Sequence, residues 1–197
     1  MAVTGKQVED FTASRITRLM FFQADGPRRA ALANLRKGIG RKPGEMPELW
    51  GVFLENMPEE MYSISGEPSS AEWAVYTALT LYALHQQGKD LQMSAPDISL
   101  GSAVAKLVND EEEREHVWKR FSTAVEAADI ISLAYYLRGL IQLLRAKNIP
   151  LDYPKLAKDL FHWQLPEQAD HVRLRWGQDF YRSLTYINEY EEETIHE

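Results

Sequence analysis

The sequence predicts an all-α protein of about nine helices in two small helical bundles, and three observations lead to this prediction. Apolar residues recur at helical spacing along most of the chain, whereas alternating strand patterns are nearly absent. Helix start and stop signals bound the periodic segments, as in the Asp-Gly-Pro sequence at 25–27 and at Gly38. The length of 197 residues, with 45% apolar residues, suffices to bury one good core or two small ones.

The predicted N-terminal lobe covers residues 1–90. Its four predicted helices lie at residues 7–22, 25–38, 47–56 and 70–87. The last of them is capped by Ser69 or Ser70, ends at Gly88 and is apolar nearly all round, which predicts a central position in its lobe. The sequence IGRKPGEM at 39–46 contains two glycines and a proline and is predicted to be a loop.

Residues 88–97, GKDLQMSAPD, form the predicted linker to a C-terminal helical bundle at 97–197. The predicted helices of this bundle lie at residues 100–108, 111–127, 130–147, 154–164 and 167–190. The chain ends in an acidic run, YEEETIHE, which is expected to fray into solvent.

Charge is distributed unevenly along the chain. The net charge of −7 argues at first against a nucleic-acid partner, because a basic surface is the usual sign of one. However, the segment 15–42 has eight basic residues and one acid, and therefore a charge of +7, while the remainder carries −14. A positive face on an acidic body can attract one polyanion and repel others.

Basic residues on helices commonly pair with acids three or four positions away, and such cations are weaker candidates for a ligand contact. Lys119 has Glu115 at this spacing, Arg173 has Asp170, and Arg175, Asp179 and Arg182 form a ladder. The arginines without such an acid include Arg15, Arg18, Arg36, Arg120, Arg138 and Arg145.

Two further observations favour an external anion. Arg28 and Arg29 lie in the first turn of their helix, where the helix dipole disfavours a cation by about 0.3–1 kcal/mol. Arg138 and Arg145 share a stripe with Gln142 that lies roughly 120° from the leucine face of the same helix. Arginine binds phosphate bidentately and would hold a nucleic-acid strand without reading its sequence. The candidate nucleic-acid-binding residues are Arg15, Arg18, Arg28, Arg29, Arg36, Lys37, Arg41, Lys42, Lys106, Arg120, Arg138 and Arg145.

Catalytic and metal chemistry is poorly supported. Glu113 and His116, and likewise Glu193 and His196, have the Glu-x-x-His spacing of di-iron bundles, but the first pair lies in an acidic helix start and the second in the acidic tail. The chain has no cysteine, which excludes disulfides, thiolate zinc sites and a cysteine nucleophile. We therefore predict no catalytic residue, metal, cofactor or small-molecule substrate.

Two features of the sequence bear on the location of the protein. Its apolar stretches are shorter than the roughly 20 residues that cross a bilayer, and its start lacks signal-peptide features, so a cytoplasmic protein without membrane contact is expected.

Among the five tryptophans, Trp73 and Trp163 are predicted to lie in the core, while Trp50, beside the basic loop, could instead stack on an unpaired base.

Several segments occur in an order that is typical of one family. They are RRAALANLRKG at 28–38, ISLGSAVAKL at 98–107, RF at 120–121, LRGLIQLLR at 137–145 and LDYPKLAKDLFHWQLPEQADHVRLRWGQDFYR at 151–182. Together they resemble the CasB family, the small subunit of the type I-E CRISPR Cascade complex.

The resemblance implies a non-catalytic, all-α protein of two helical bundles. It implies as partners the backbone and large subunits of Cascade, a second copy of the chain, guide RNA and target DNA. The nucleic-acid-facing arginines of the family correspond to Arg29 or Arg36, to Arg120 and to Arg138. Where family members often carry Arg or Lys after SLG, this chain has Ser102, with Lys106 one turn further on.

The expected function is binding of the target and displaced DNA strands and stabilisation of the R-loop in antiviral defence. An α-helical adaptor that binds only protein, with its basic segment on an acidic partner, is the alternative. A carboxylate-bridged metal enzyme is a third possibility, which stoichiometric iron or manganese in the purified protein would reveal.

Overall fold

The computed structural model describes residues 2–21 and 25–195, together with their side chains except those of Asp25 and residues 186–195. Within these ranges the chain forms nine α-helices and no strand, which confirms the all-α prediction. The helices are α1 (Gly5–Met20), α2 (Asp25–Lys37), α3 (Trp50–Phe53), α4 (Ser70–His85), α5 (Leu100–Ala105), α6 (Glu111–Val125), α7 (Ile130–Ala146), α8 (Tyr153–Trp163) and α9 (Pro166–Ile195).

Side-chain caps fix where most of these helices begin. Thr4 before α1 and Ser69 before α4 form capping boxes with the glutamine or glutamate three residues on. The side chains of Ser99, Asp110, Asp129 and Asp152 accept a backbone N–H of the first turn of α5, α6, α7 and α8. Each cap satisfies an N–H that the helix itself leaves without a partner.

Helix α4 is the central element, as its apolar sequence predicts. Its residues from Ala74 to His85 are all buried, and the helix packs against α2, α7 and α8. Helix α8 packs in turn against α1, α4 and α9, and α5 crosses α9 closely. A Cβ at Gly101 of α5 would overlap the backbone oxygen of Trp176, so this crossing requires glycine.

The predicted linker, residues 88–97, forms hydrogen bonds with the end of α4 and with the segment before α8. The Met93 N–H donates to Gln86 Oε1 at 3.0 Å, and the Leu151 N–H donates to the Met93 oxygen at 3.1 Å. The side chain of Met93 is itself buried. One cluster of buried apolar residues extends from α1 through α4 and α8 to α9. The division into two lobes remains a prediction, and the core is continuous across it.

Two predicted elements differ in the structure. The predicted helix at 47–56 is a 3-10 turn, Pro47–Leu49, followed by the single turn of α3, and Asn56 beyond it adopts a φ of 59°. Helix α9 continues to Ile195, so most of the acidic run expected to fray is helical, while residues 196–197 lie outside the described range. Among the described helices, none is both long enough and apolar enough to span a bilayer.

Candidate nucleic-acid interface

Helices α6 and α7 pack side by side and leave an open groove of about 620 Å³ between them, which we call the α6–α7 groove. Lys119 and Arg120 of α6 and Arg138 and Gln142 of α7 line it, together with the rings of Tyr135 and Tyr136. None of the described residues that line the groove is a carboxylate. The groove therefore presents three cations to any ligand without a competing acid.

The α7 side of the groove follows from helical periodicity. The buried leucine face of α7 consists of Leu133, Leu137, Leu140 and Leu144. Arg138 and Gln142 lie away from this face and are exposed, which confirms the predicted stripe for these two residues. Burying the leucines fixes the rotation of α7 and thereby orients Arg138 towards solvent.

Three cations of the groove have no partner among the described residues. The side chains of Lys119, Arg120 and Arg138 are exposed, and none forms a hydrogen bond or ion pair with a described residue. The predicted pairing of Lys119 with Glu115 is absent, and Lys119 instead lines the groove. Sequence spacing alone missed Lys119 because it treats every acid four residues away as a partner.

Arg145 lies two turns after Arg138 and is only half exposed. Its Nη1 donates to Gln87 Oε1 at 3.0 Å, a contact with the segment that follows α4. Arg36 of α2 is nearby and also half buried, and its pKa is lowered by burial and by the positive charge of Arg145. No described carboxylate pairs with either arginine, so α2 and α7 place two like charges together. We call the series Arg138, Arg145 and Arg36 the basic stripe.

The expectation that Arg15 and Arg18 are unpaired surface cations is wrong. Arg15 is buried, with its Nη1 donating to the backbone oxygen of Glu55 at 2.8 Å and its guanidinium over the Phe11 ring. Burial also lowers its pKa. Arg18 forms an ion pair with the carboxylate of the same Glu55. Both contacts hold α1 against the turn after α3, which leaves Arg15 buried and Arg18 exposed but already paired.

The remaining cations of the segment 15–42 are more accessible. Arg28 is half buried and its positive charge lies near the Tyr82 hydroxyl, whereas Arg29 is exposed. Lys37 donates to Asn34 Oδ1 at 3.2 Å. Arg41 and Lys42 are exposed on the loop 39–46, with Lys42 3.8 Å from Glu67. This loop covers a second, smaller pocket of about 240 Å³ against α4 and α7.

The ISLG segment has a structural role. Ser99 caps α5, Gly101 permits the crossing with α9, and the Ser102 hydroxyl donates to the Ser99 oxygen at 3.0 Å. Lys106 follows directly after α5 and is exposed. Of this segment, only Lys106 remains a candidate contact.

The arginines of the segment 151–182 are mostly engaged within the protein. The carboxylate of Asp159, buried in α8, accepts Arg175 Nη2 at 2.5 Å and Trp176 Nε1 at 2.7 Å, and its burial raises its pKa. Arg175 therefore pairs with Asp159 rather than with Asp179, which the ladder predicted. The other two predicted pairs form, with Arg173 2.9 Å from Asp170 and Arg182 3.8 Å from Asp179.

The tryptophans divide between core and surface. Trp163 and Trp176 are buried, which confirms the prediction for Trp163, whereas Trp73 is only half buried and lines the smaller pocket. Trp50 is exposed, and its Nε1 donates to the Gly44 oxygen at 3.3 Å, so the ring packs on the basic loop. Trp118 of α6 lies against Phe180 and Tyr181 of α9 and is partly exposed.

No group of three or more potential metal ligands occurs among the described side chains. The Glu113 carboxylate accepts the backbone N–H of Asn109 at 3.0 Å and lies 3.5 Å from Lys147 Nζ. The second Glu-x-x-His pair, Glu193 with His196, lies outside the described side chains.

Residues 31–181 match the family described as CRISPR-associated protein Cse2. The chain is similar to CasB from Thermobifida fusca, with 34% identity over 88% of this chain and 97% of that chain and a TM-score of 0.74. It is also similar to a Cse2-family CRISPR-associated protein from Thermus thermophilus, with 25% identity, 92% and 99% coverage and a TM-score of 0.64.

A chain of a CRISPR RNA-guided surveillance complex shares the fold, with 21% identity over 93% of this chain and 99% of that chain and a TM-score of 0.74. A comparison with curated proteins gave no significant match. The family match covers most of the chain, including α6 and α7, and the similar crystal structures include CasB. This chain therefore belongs to the Cse2 family of CRISPR-associated proteins, which confirms the resemblance to CasB seen in its sequence.

Proposed function

We propose that this protein is a non-catalytic small subunit of a type I-E CRISPR RNA-guided surveillance complex and that it holds DNA strands through the α6–α7 groove and the basic stripe. Its partners are the backbone and large subunits, a second copy of the chain, guide RNA and target DNA, and it acts in the cytoplasm. The similarity to a chain of such a complex supports the assembly. The strand-binding role depends most on one observation, the three unpaired cations of the α6–α7 groove.

The physical reason for such a subunit lies in the energetics of strand exchange. Opening a DNA duplex against a guide replaces one duplex with another of similar stability, so modest contacts to the strands shift the balance. Arg120 and Arg138 project from two different helices into one groove. They can therefore contact successive phosphates of a strand without reading its bases.

The salt dependence of DNA binding tests this proposal. The affinity of the full chain for a single-stranded oligonucleotide is measured as salt is varied, for the wild type and for Arg120→Ala with Arg138→Ala. Each lost phosphate contact lowers the log–log slope by about 0.7, so we expect the double variant to lose about 1.4. Changing the base sequence should leave the affinity unchanged, because the arginines contact phosphates.

A control variant removes the same amount of charge elsewhere. Arg114→Ala with Arg182→Ala deletes a half-exposed and an exposed arginine, which are paired with Glu111 and Asp179 on their own helices. This control should keep the wild-type slope. If the wild type shows no salt-dependent DNA binding, or if both double variants lose slope equally, the groove is not the DNA site and the protein-binding adaptor is favoured.

A further inference from the structure

Gly139 lies in the middle of α7 and lines the α6–α7 groove. A glycine inside a helix is less favourable than alanine, so it needs a reason. At Gly101 the reason is a neighbouring helix, whereas a Cβ at Gly139 would meet nothing within 4 Å and its φ is not positive. Neither packing nor backbone conformation therefore requires glycine at position 139. Close approach of a ligand to the backbone is another use of a residue without a side chain, and the open space beside Gly139 leaves room for it.

Two tyrosine rings flank this position. Tyr135 is 70% exposed and Tyr136 is 37% exposed, and their ring centroids are 5.5 Å apart at an interplanar angle of 72°. Both rings line the groove that Arg120 and Arg138 line. Neither hydroxyl forms a hydrogen bond with a described residue. Exposed aromatic rings beside unpaired cations are the combination with which proteins bind unpaired nucleic-acid strands.

We propose that the α6–α7 groove selects an unpaired strand, with a base packed against the Tyr135 or Tyr136 ring and over the bare backbone at Gly139. Lys119, Arg120 and Arg138 hold the adjoining phosphates. This inference rests on the proposed function and adds the form of nucleic acid to it. A duplex stacks its bases on one another and offers no free base face to a tyrosine ring, so it can use only the cations.

The test separates base contacts from phosphate contacts with three probes of equal length. They are a single-stranded oligonucleotide, the same strand with abasic sites throughout its centre, and a duplex. The abasic strand keeps every phosphate and lacks the bases. The wild-type full chain should bind the intact strand about 5- to 150-fold more tightly than the abasic strand, which is the range for loss of one stacked base.

Two variants locate the effect. Tyr135→Ala with Tyr136→Ala should weaken binding of the intact strand to the level of the abasic strand and leave binding of the abasic strand unchanged. Gly139→Ala should also weaken binding of the intact strand, while raising Tm by about 1 to 4 °C, because it stabilises the helix and occupies space that the base needs. Gly177→Ala in α9 is the matched control, since its Cβ also meets nothing within 4 Å and it lies outside the groove. It should raise Tm in the same way and leave every affinity unchanged.

Equal affinity of the wild type for intact and abasic strands would overturn this inference. It would also fail if the tyrosine pair and Gly139→Ala both bound the intact strand as the wild type does. In either case, loss of binding in Arg120→Ala with Arg138→Ala would leave the proposed function in place and reduce the groove to a phosphate site. No binding of any probe by the wild type would contradict both.

Discussion

At the scale of single residues, His85 is a buried titratable group whose protonation is coupled to folding. It lies at the end of α4, fully buried, with Nδ1 3.0 Å from the Tyr153 hydroxyl. Burial, together with the nearby charges of Lys89 and Arg145, lowers the pKa of His85 to about 4. The unfolded chain, whose histidine titrates near its ordinary value of 6.5, therefore binds this proton more readily than the native state does.

This difference predicts an acid-sensitive core. His85 is mostly neutral in both states at pH 7, and as the pH falls from 6.5 towards 4 the unfolded state takes up the proton before the native state does. The wild type should lose about 3 kcal/mol of stability over this range because of His85. Urea unfolding at pH 7 and pH 4 measures it, with His85→Gln as the comparison. The glutamine variant should lose correspondingly less, and an equal loss in both proteins would show that His85 is not the group responsible.

Single residues also show where sequence reasoning reaches its limit. Arg15 and Arg18 have no acid within four positions, and their partner, Glu55, comes from the turn after α3. Asp159 similarly takes Arg175 from the next helix. A screen of neighbours along one helix identifies local pairs such as Arg173 with Asp170. It cannot find partners that only tertiary packing brings together, so it overstated the free charge in α1.

At the scale of elements, the crossing of α5 and α9 depends on the absence of one side chain. Gly101 lies against the backbone of Trp176 and Phe180, and both of these residues are themselves buried. Because the neighbouring atoms belong to the backbone of a helix fixed by its own packing, α9 cannot yield by changing a rotamer. A methyl group at Gly101 would have to push the two helices apart.

We predict that Gly101→Ala destabilises the protein by about 1–3 kcal/mol, which corresponds to a fall in Tm of roughly 2–4 °C for each kcal/mol. Chemical denaturation measures the change. Gly177→Ala, a helical glycine of α9 with open space around its Cβ, serves as the reference and should not be destabilised. Equal stability of the Gly101→Ala variant and the wild type would mean that α5 and α9 do not cross as closely as described.

Element boundaries were largely predictable because they depend on local chemistry. The leucine face of α7, the Ser69 cap of α4 and the central position of the apolar helix α4 all follow from residues close in sequence.

The α6–α7 groove was only partly predictable. Arg120 and Arg138 were candidates, but Tyr135, which precedes Arg138 by three positions on the same face, and the groove residue Gly139 were not recognised. A helical-wheel comparison of α7 alone could have found Tyr135, whereas the contribution of α6 required the packing of the two helices.

At the scale of the whole molecule, an acidic protein carries a groove without acids. The net charge is −7, yet the described residues that line the α6–α7 groove include three cations and no carboxylate. The basic stripe extends this surface to α2, where Arg36 and Arg145 lie together without a neutralising acid among the described side chains. Such an arrangement draws a polyanion to one face and discourages binding elsewhere. The continuous core from α1 to α9 holds α2 in a fixed position relative to the α6–α7 groove.

The most direct test of the central claim is R-loop formation by the assembled surveillance complex containing one of four versions of this chain. They are the wild type, Arg120→Ala with Arg138→Ala, Arg120→Glu with Arg138→Glu, and Arg114→Glu with Arg182→Glu as the charge-matched control. We predict that R-loop formation falls in the alanine pair and falls further in the groove glutamate pair, because two anions then repel the phosphates. The control should match the wild type, and all four complexes should contain the subunit in equal amount. Equal R-loop formation in all four would contradict the claim that this groove holds a DNA strand.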